Sequence, residues 1–262
     1  MKKIIFILIS ILVGLFVLLS ALTPENNFTA EKQLWKINKK FYAMTQKSDT
    51  PSEHFDQLIP LYKNFIQKFP NSSLLPQAYI FLADVYLFKK DYATARQKYE
   101  EITQKFSDQS IVVVEAMNRI IVSYTKEETL AGIVNNQNKI NETVENLYDP
   151  TGTMKNMFMS SHKEENFQGI LKVYQRAMKD FPTSSLGLKA PLLVAKLYYN
   201  QKNPEKTAEA LNEAIKFYQH LAKQDRGSIV DFKSQEFLTH CYVLQEKLNK
   251  AVNTMGETLI RF

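Results

Sequence analysis

The sequence predicts an all-α chain, a stack of short helical hairpins wound into a superhelix (an α-solenoid) behind one apolar N-terminal helix. Three observations carry this. Glycine is scarce, at 7 of 262 residues, which disfavours turn-rich β folds, whereas Ala, Lys, Gln and Glu, which suit helices, are abundant. The stretch "YLFKKDYATARQKYEEITQKF" (Tyr86–Phe106) aligns without a gap with "YYNQKNPEKTAEALNEAIKFY" (Tyr198–Tyr218), 112 positions further on, and "FPNSS" and "FPTSS" precede them. Within these stretches the apolar residues step by 3 and 4, the period of one helix face.

The first element is "MKKIIFILISILVGLFVLLSAL", two lysines and then Ile4–Leu22 without a charge. At the helical rise it reaches about 28 Å, close to the hydrocarbon thickness of a bilayer. A signal-peptide core is shorter, and small-x-small cleavage chemistry is weak, since Leu19 stands two before Ala21. The expectation is an uncleaved signal anchor over residues 1–23, with a cleaved signal peptide as the alternative. Lys2 and Lys3 stay in the cytoplasm, a linker covers 24–29, and the chain from 30 to 262 lies outside it. No Cys follows the apolar run, which excludes a lipoprotein anchor, and the lone Cys241 can form no intrachain disulfide.

Next come the hairpins. Trp35 and Tyr42, seven apart, mark a first helix, and Leu58, Tyr62 and Phe65 mark its partner before Pro70. Thr50-Pro51-Ser52-Glu53, in the loop between, reads as a capping box. Leu75, Ala78, Tyr79, Leu82 and Tyr86 form the stripe of another helix, with Ser72 or Ser73 as its cap and Pro76 in its first turn. Tyr92, Ala95, Tyr99, Ile102 and Phe106 form its partner, capped by Asp91. Small Ala83 and Ala95 allow the two backbones to approach, and "FKKD" is long enough only for an antiparallel turn. Phe69-Pro70 and Phe181-Pro182 end helices, because the residue before a proline resists the helical region.

Leu82, Ala83, Tyr86, Ala95, Tyr99 and the closing "FP" or "FS" resemble the tetratricopeptide repeat (TPR) pattern. The same slots hold Val194, Ala195, Tyr198, Leu211 and Ala214 over 188–221. Around 114–147 they hold Ile120, Tyr124, Ile133 and Ile140. Ile170, Tyr174 and Ala177 make a second helix before Pro182, and Leu238, Tyr242, Ala251 and Met255 fill the last copy. The resemblance implies about six hairpins over 30–262, irregular around 148–165. The middle copies recur every 37 residues or so and the last after about 44, longer than the usual spacing of about 34. Together with the "FP-x-S" closures, this is similar to TPR proteins of bacterial envelopes, of the outer-membrane assembly lipoprotein and Tol–Pal coordinator kinds. The chain departs from the first in lacking a lipidated Cys, and from the second in lacking a coiled coil.

Other chemistry is excluded or weak. The net charge of +6 is spread over scattered lysines with no dense basic block, so no nucleic-acid partner is expected. Met154, Met157, Met159 and His162 hold soft ligands that suit Cu(I), but Met154 and Met157 fall in core slots of a helix, and no metal or cofactor is expected. His54, His162, His220 and His240 are scattered, and there is no GxGxxG, Walker loop or GxSxG. An enzyme is not expected.

The resemblance further implies a ligand groove along the first helices. Its slots hold Gln77, Ile80, Asp84, Leu87 and Phe88, and then Lys189, Leu192, Lys196, Tyr199 and Asn200. Phe88 and Tyr199 are off-stripe aromatics next to lysines, suited to an extended or helical peptide. The expected function is a single-pass scaffold of the bacterial inner membrane, with its repeats in the periplasm, binding protein partners during envelope assembly or secretion. The alternative is a module that binds cell-wall polymer and positions an envelope enzyme. Because the last hairpin ends at Phe262 with no capping helix, truncation of the chain or self-association is a further expectation.

Overall fold

A computed structural model describes residues 27–47, 50–135 and 164–262, and among these every regular element is helical. Ten α-helices follow one another: α1 Asn27–Thr45, α2 Leu58–Lys68, α3 Leu75–Phe88, α4 Tyr92–Lys105, α5 Ser110–Asn135, α6 Glu164–Asp180, α7 Ser185–Asn200, α8 Pro204–Gln224, α9 Ile229–Leu244 and α10 Leu248–Arg261. A 3₁₀ helix, Ser52–Gln57, precedes α2. No helix among the described residues is long and apolar enough to cross a membrane. The apolar run Ile4–Leu22 lies outside the described residues, as do the methionine cluster at 154–159 and His162. The chain divides into two compact units, one ending at Lys98 and the other beginning at Tyr99.

The repeat seen in the sequence is a repeat of backbone turns. Lys90, Lys202 and Glu246 have φ of 65°, 55° and 58°, the left-handed region that non-glycine residues rarely visit. Each stands four residues after a tyrosine, in "YLFKKD", "YYNQKN" and "YVLQEK". In each, the N–H of the next residue donates back to the tyrosine carbonyl: Asp91 to Tyr86 at 3.0 Å, Asn203 to Tyr198 at 3.2 Å, Lys247 to Tyr242 at 2.9 Å. The left-handed residue donates to the carbonyl three before it, Lys90 to Leu87, Lys202 to Tyr199 and Glu246 to Val243. This is the Schellman arrangement, which satisfies the last carbonyls of one helix. The same residue opens the next helix: Asp91 Oδ1 accepts from the N–H of Thr94, and Asn203 Oδ1 from that of Lys206. Lys247 occupies that place before α10 and caps nothing.

The "FP" ends also match. Phe69 N–H donates to Phe65 and Phe181 N–H to Ala177, both at 3.0 Å, and the serines three further on donate back to Phe69 and Phe181. Ser184 then caps α7 by accepting from Gly187 N–H. Ser72 instead accepts from Leu74 N–H, and α3 starts without a side-chain cap. The expected capping box at Thr50–Glu53 does not form. Thr50 donates to the Met44 carbonyl, closing α1, and Ser52 bonds Glu53.

In the first unit the buried faces of α1, α2 and α3 meet around Phe41, Phe55, Tyr62 and Phe81. Tyr62, wholly buried, donates to Asn38 Oδ1 at 2.9 Å, and burial pushes its phenol above the usual range. Lys89, the residue that follows α3, pairs with Asp56 in the 3₁₀ helix. Trp35 does not point inward as its spacing from Tyr42 suggests, and Tyr42 reaches the core through an edge contact with Phe81. The stripe of α1 that enters the core is Ala30, Leu34 and Phe41, while Trp35 and Tyr42 stay largely exposed. The helix also starts at Asn27, inside the expected linker.

In the second unit α6 to α10 pack in chain order, each against the next, and α9 also touches α7. Tyr174, Ala177, Ala195, Ala214 and Leu238 are buried as expected, and Tyr218 is buried with them. Tyr218 donates to the Leu188 carbonyl at 2.8 Å. Asp231, fully buried, accepts from Gly227 N–H and from Arg261 on α10 at 2.9 Å. Two expectations fail here. α5 is one continuous helix through 124–135, where Tyr124 led us to expect a turn; no Asp or Asn follows at 129, and Tyr124 lies across Gly169 of α6. Met255 is exposed, because α10 turns Ala251, Thr254 and Thr258 inward instead.

Candidate functional site

Tyr199 ends the exposed side of α7, with 72% of its surface open. It stands at the mouth of a cleft of about 840 Å³ built from two of the three matching turns. The α7–α8 turn contributes Asn200, Lys202 and Asn203, the first turns of α8 contribute Pro204, Thr207, Ala208, Leu211 and Asn212, and the end of α9 contributes Leu244, Gln245 and Lys247. Leu211 is buried, while Leu244 is half exposed. Gln245 crosses the far side, donating to Asn212 Oδ1 at 2.9 Å and accepting from Lys247 Nζ at 2.7 Å. The lining holds two lysines, four side-chain amides and no carboxylate.

A left-handed residue at Lys202 reverses the chain within five residues and folds α8 back along α7. The next hairpin repeats the reversal at Glu246. The space between is rimmed by the groups that cannot pack there, a tyrosine ring and polar turn residues. Such a surface offers a ring for stacking, apolar contacts at Leu211 and Leu244, and donors for an anionic or carbonyl-rich ligand.

Of the residues expected to bind, Tyr199 and Asn200 line this cleft, while Lys189 and Lys196 share their helix but not the cleft. Lys189 is exposed, Lys196 is half-buried and Leu192 is buried. In the first unit Gln77 is exposed, Ile80 half-buried, and Asp84 and Leu87 buried. The Phe88 ring stacks on Phe55 at 5.7 Å and meets Phe41 edge-on at 5.3 Å. It packs against the aromatic core while 36% of its surface stays exposed. Lys202, Asn203, Leu244, Gln245 and Lys247 were missed, because the sequence reading assigned turns to topology and not to binding. The repeated Tyr-x₃-Lys/Glu spacing was the signal that could have found them.

A second cleft, of about 360 Å³, lies among α4, α5 and α6 in the second unit, over Met117, Ile120 and Gly169. Two of its lining charges, Glu100 and Arg176, are spent on each other. Arg176 pairs with Glu100 at 3.2 Å and Asp180 at 3.6 Å, and donates to Thr103 Oγ1.

Neither a protein-family model nor a curated protein matches the sequence. Among solved structures, the crystal structure of BtubC (BKLC) from P. vanneervenii is similar over 90% of this chain and 89% of that one, at 13% identity and a TM-score of 0.37. A likeness at that level carries no argument about fold or function.

Proposed function

We propose that this chain is a scaffold of TPR-like hairpins, held at a bacterial inner membrane by its N-terminal residues and binding protein segments outside the cytoplasm during envelope assembly or secretion. The observation that carries the binding part is the cleft at Tyr199. An exposed aromatic beside apolar and cationic groups, with no carboxylate in the lining, suits a peptide that presents a large apolar side chain and an acidic neighbour. The three matching turns support the repeated-hairpin reading, and the uncharged run Ile4–Leu22 supports the anchor.

The test is photo-crosslinking in membranes with a reactive residue at Tyr199 or Leu244, and with Phe88 as the comparison. The expected result is capture of the same protein from both cleft positions, lost when Lys202→Glu and Lys247→Glu are combined, with little capture at Phe88. Equal capture at Phe88, or capture that ignores the two charge reversals, refutes the cleft. The amides of Asn200, Asn203, Asn212 and Gln245 around one tyrosine favour a second reading, a cell-wall polymer chain lying on the ring. Saturable glycan binding abolished by Tyr199→Ala, without any protein captured, establishes that reading instead.

A further inference from the structure

α1 has two faces of opposite character. One steps through Ala30, Leu34, Ile37, Phe41 and Met44 and is spent on the core of its unit. The other steps through Phe28, Lys32, Trp35, Lys39 and Tyr42, by the same 4, 3, 4 and 3, and is exposed, with Tyr42 also touching the core through an edge contact with the Phe81 ring at 5.8 Å. The three rings are 66%, 61% and 51% exposed. Lys39 Nζ sits 5.2 Å from the centre of the Trp35 ring. Lys36 and Lys40 flank the stripe and are exposed, and Glu31 is the one acid of the helix.

We propose that this outward face lies on an anionic lipid surface, rings at the level of the headgroups and lysines among the phosphates. Three arguments select a lipid surface over a protein. Aromatic rings interleaved with lysines are the composition of helices that lie in the membrane interface, whereas lysine is depleted at protein interfaces. The charge is complementary, four lysines against one glutamate facing an anionic leaflet. The tether is short: five residue steps from Leu22 to Asn27 reach at most about 18 Å, so a helix that follows a membrane anchor so closely starts near the headgroups. The proposal rests on the anchor reading for this last argument only. Its consequence is that the first unit is held in one orientation against the membrane instead of swinging on a flexible stalk.

Trp35 is the sole tryptophan of the chain, so it reports on this face alone. The full-length protein is reconstituted into vesicles of phosphatidylcholine and phosphatidylglycerol, some carrying acyl chains brominated near the headgroup. The expected result is Trp35 fluorescence quenched by the brominated lipid and shielded from aqueous iodide. Lys32→Glu, Lys36→Glu and Lys39→Glu together lose both effects while circular dichroism is unchanged. Moving the probe with Trp35→Phe and Phe28→Trp keeps them. Flotation at high salt reads the anchor separately, because salt screens the lysine contacts but does not extract a spanning helix. A chain that floats while Trp35 stays open to iodide overturns the proposal and leaves the anchor standing. Shielding from iodide without lipid quenching also overturns it, in favour of a second copy covering the face. Quenching at low salt in a chain that fails to float at high salt supports it and removes the anchor.

Discussion

Replacing Gly187 with alanine should destabilise the second unit, although helix propensity alone gives the opposite sign. Gly187 lies in the first turn of α7, where alanine is better than glycine by about 1 kcal/mol. A Cβ there, however, would stand 2.0 Å from the Phe181 carbonyl oxygen and 3.0 Å from that of Ala177, whereas ordinary contacts begin near 3.4 Å. Both obstacles are backbone atoms at the end of α6, so no side chain can swing aside. The start of α7 must move by more than 1 Å or so, which carries an overpacking cost of about 1–3 kcal/mol. The same movement pulls Gly187 N–H from Ser184 Oγ, now 3.0 Å away, and losing a cap costs about 1 kcal/mol. The net expectation is destabilisation by about 1–3 kcal/mol. Two other helical glycines calibrate the reasoning. At Gly256 a Cβ meets nothing within 4 Å, so Gly256→Ala should stabilise by about 0.5–1 kcal/mol. At Gly169 it meets only the far end of the Tyr124 ring, at 2.3 Å, which can tilt, so Gly169→Ala should fall between. Urea unfolding followed by far-UV circular dichroism measures all three, and a Gly187→Ala midpoint at or above that of the parent chain would refute the close approach of α6 and α7.

The three left-handed turn residues make a second set. Lys90→Gly, Lys202→Gly and Glu246→Gly should each raise the urea midpoint, since a side chain in that region costs about 1–2 kcal/mol, partly offset by the greater unfolded-state freedom of glycine; a lowered midpoint at all three would deny the Schellman geometry. Asp231 gives a pH dependence. Burial pushes its carboxyl up, but bonds from Gly227 N–H, Arg261 and Gln235, with the Arg261 charge, hold it below the usual 3.8. A depressed folded value means the contribution is present above about 3.8 and lost as pH falls through the lower folded value. Asp231→Asn should therefore be less stable than the parent at neutral pH, with the gap closing in acid, and a pH-independent gap would count against the linkage. Cys241 is buried and its thiol is pushed up to about 12, so a thiol reagent should label it only as fast as the unit opens, and labelling should accelerate in urea.

The fold was legible where spacing alone decides it. The stripes of α2, α3, α6 and α7 reappear as Tyr62 and Phe65, Ala78 and Leu82, Tyr174 and Ala177, Val194 and Ala195, all buried. Asp91 caps α4 as expected, whereas the cap expected of Ser72 or Ser73 on α3 does not form. What spacing could not decide is which of two stripes on one helix faces inward. α1 and α10 each carry two, and the choice depends on the partner helix. Ala251, Thr254 and Thr258 lose less apolar burial than Leu248, Val252, Met255 and Leu259 would gain, yet the small face is the one turned inward, and the large residues remain exposed. Small residues allow close approach of backbones, and the threonine hydroxyls of 254 and 258 are satisfied by their own helix, at Lys250 and Thr254, so burying that face leaves no orphaned polar group.

The same limit separates the two aromatics that looked alike in the sequence. Phe88 and Tyr199 stand one position apart in the aligned copies, each near the end of a first helix, off the core stripe and near lysines. Periodicity says that both leave the hairpin's own interior, and it says nothing about what lies beyond. In the first unit a further layer exists: α1 brings Phe41 and the 3₁₀ helix brings Phe55 to within 6 Å of the Phe88 ring. These belong to segments more than thirty residues earlier in the chain, so no local window contains the contact. Around Tyr199 the described residues supply no ring of that kind, and 72% of its surface stays open beside the cleft. If this difference sets function, Phe88→Ala should behave as a core truncation, costing about 3 kcal/mol of stability at most, since its ring is only partly buried. Tyr199→Ala should leave the urea midpoint within about 0.5 kcal/mol of the parent and act on binding alone. A Tyr199→Ala chain that unfolds as early as Phe88→Ala would return Tyr199 to the core and remove the cleft from consideration.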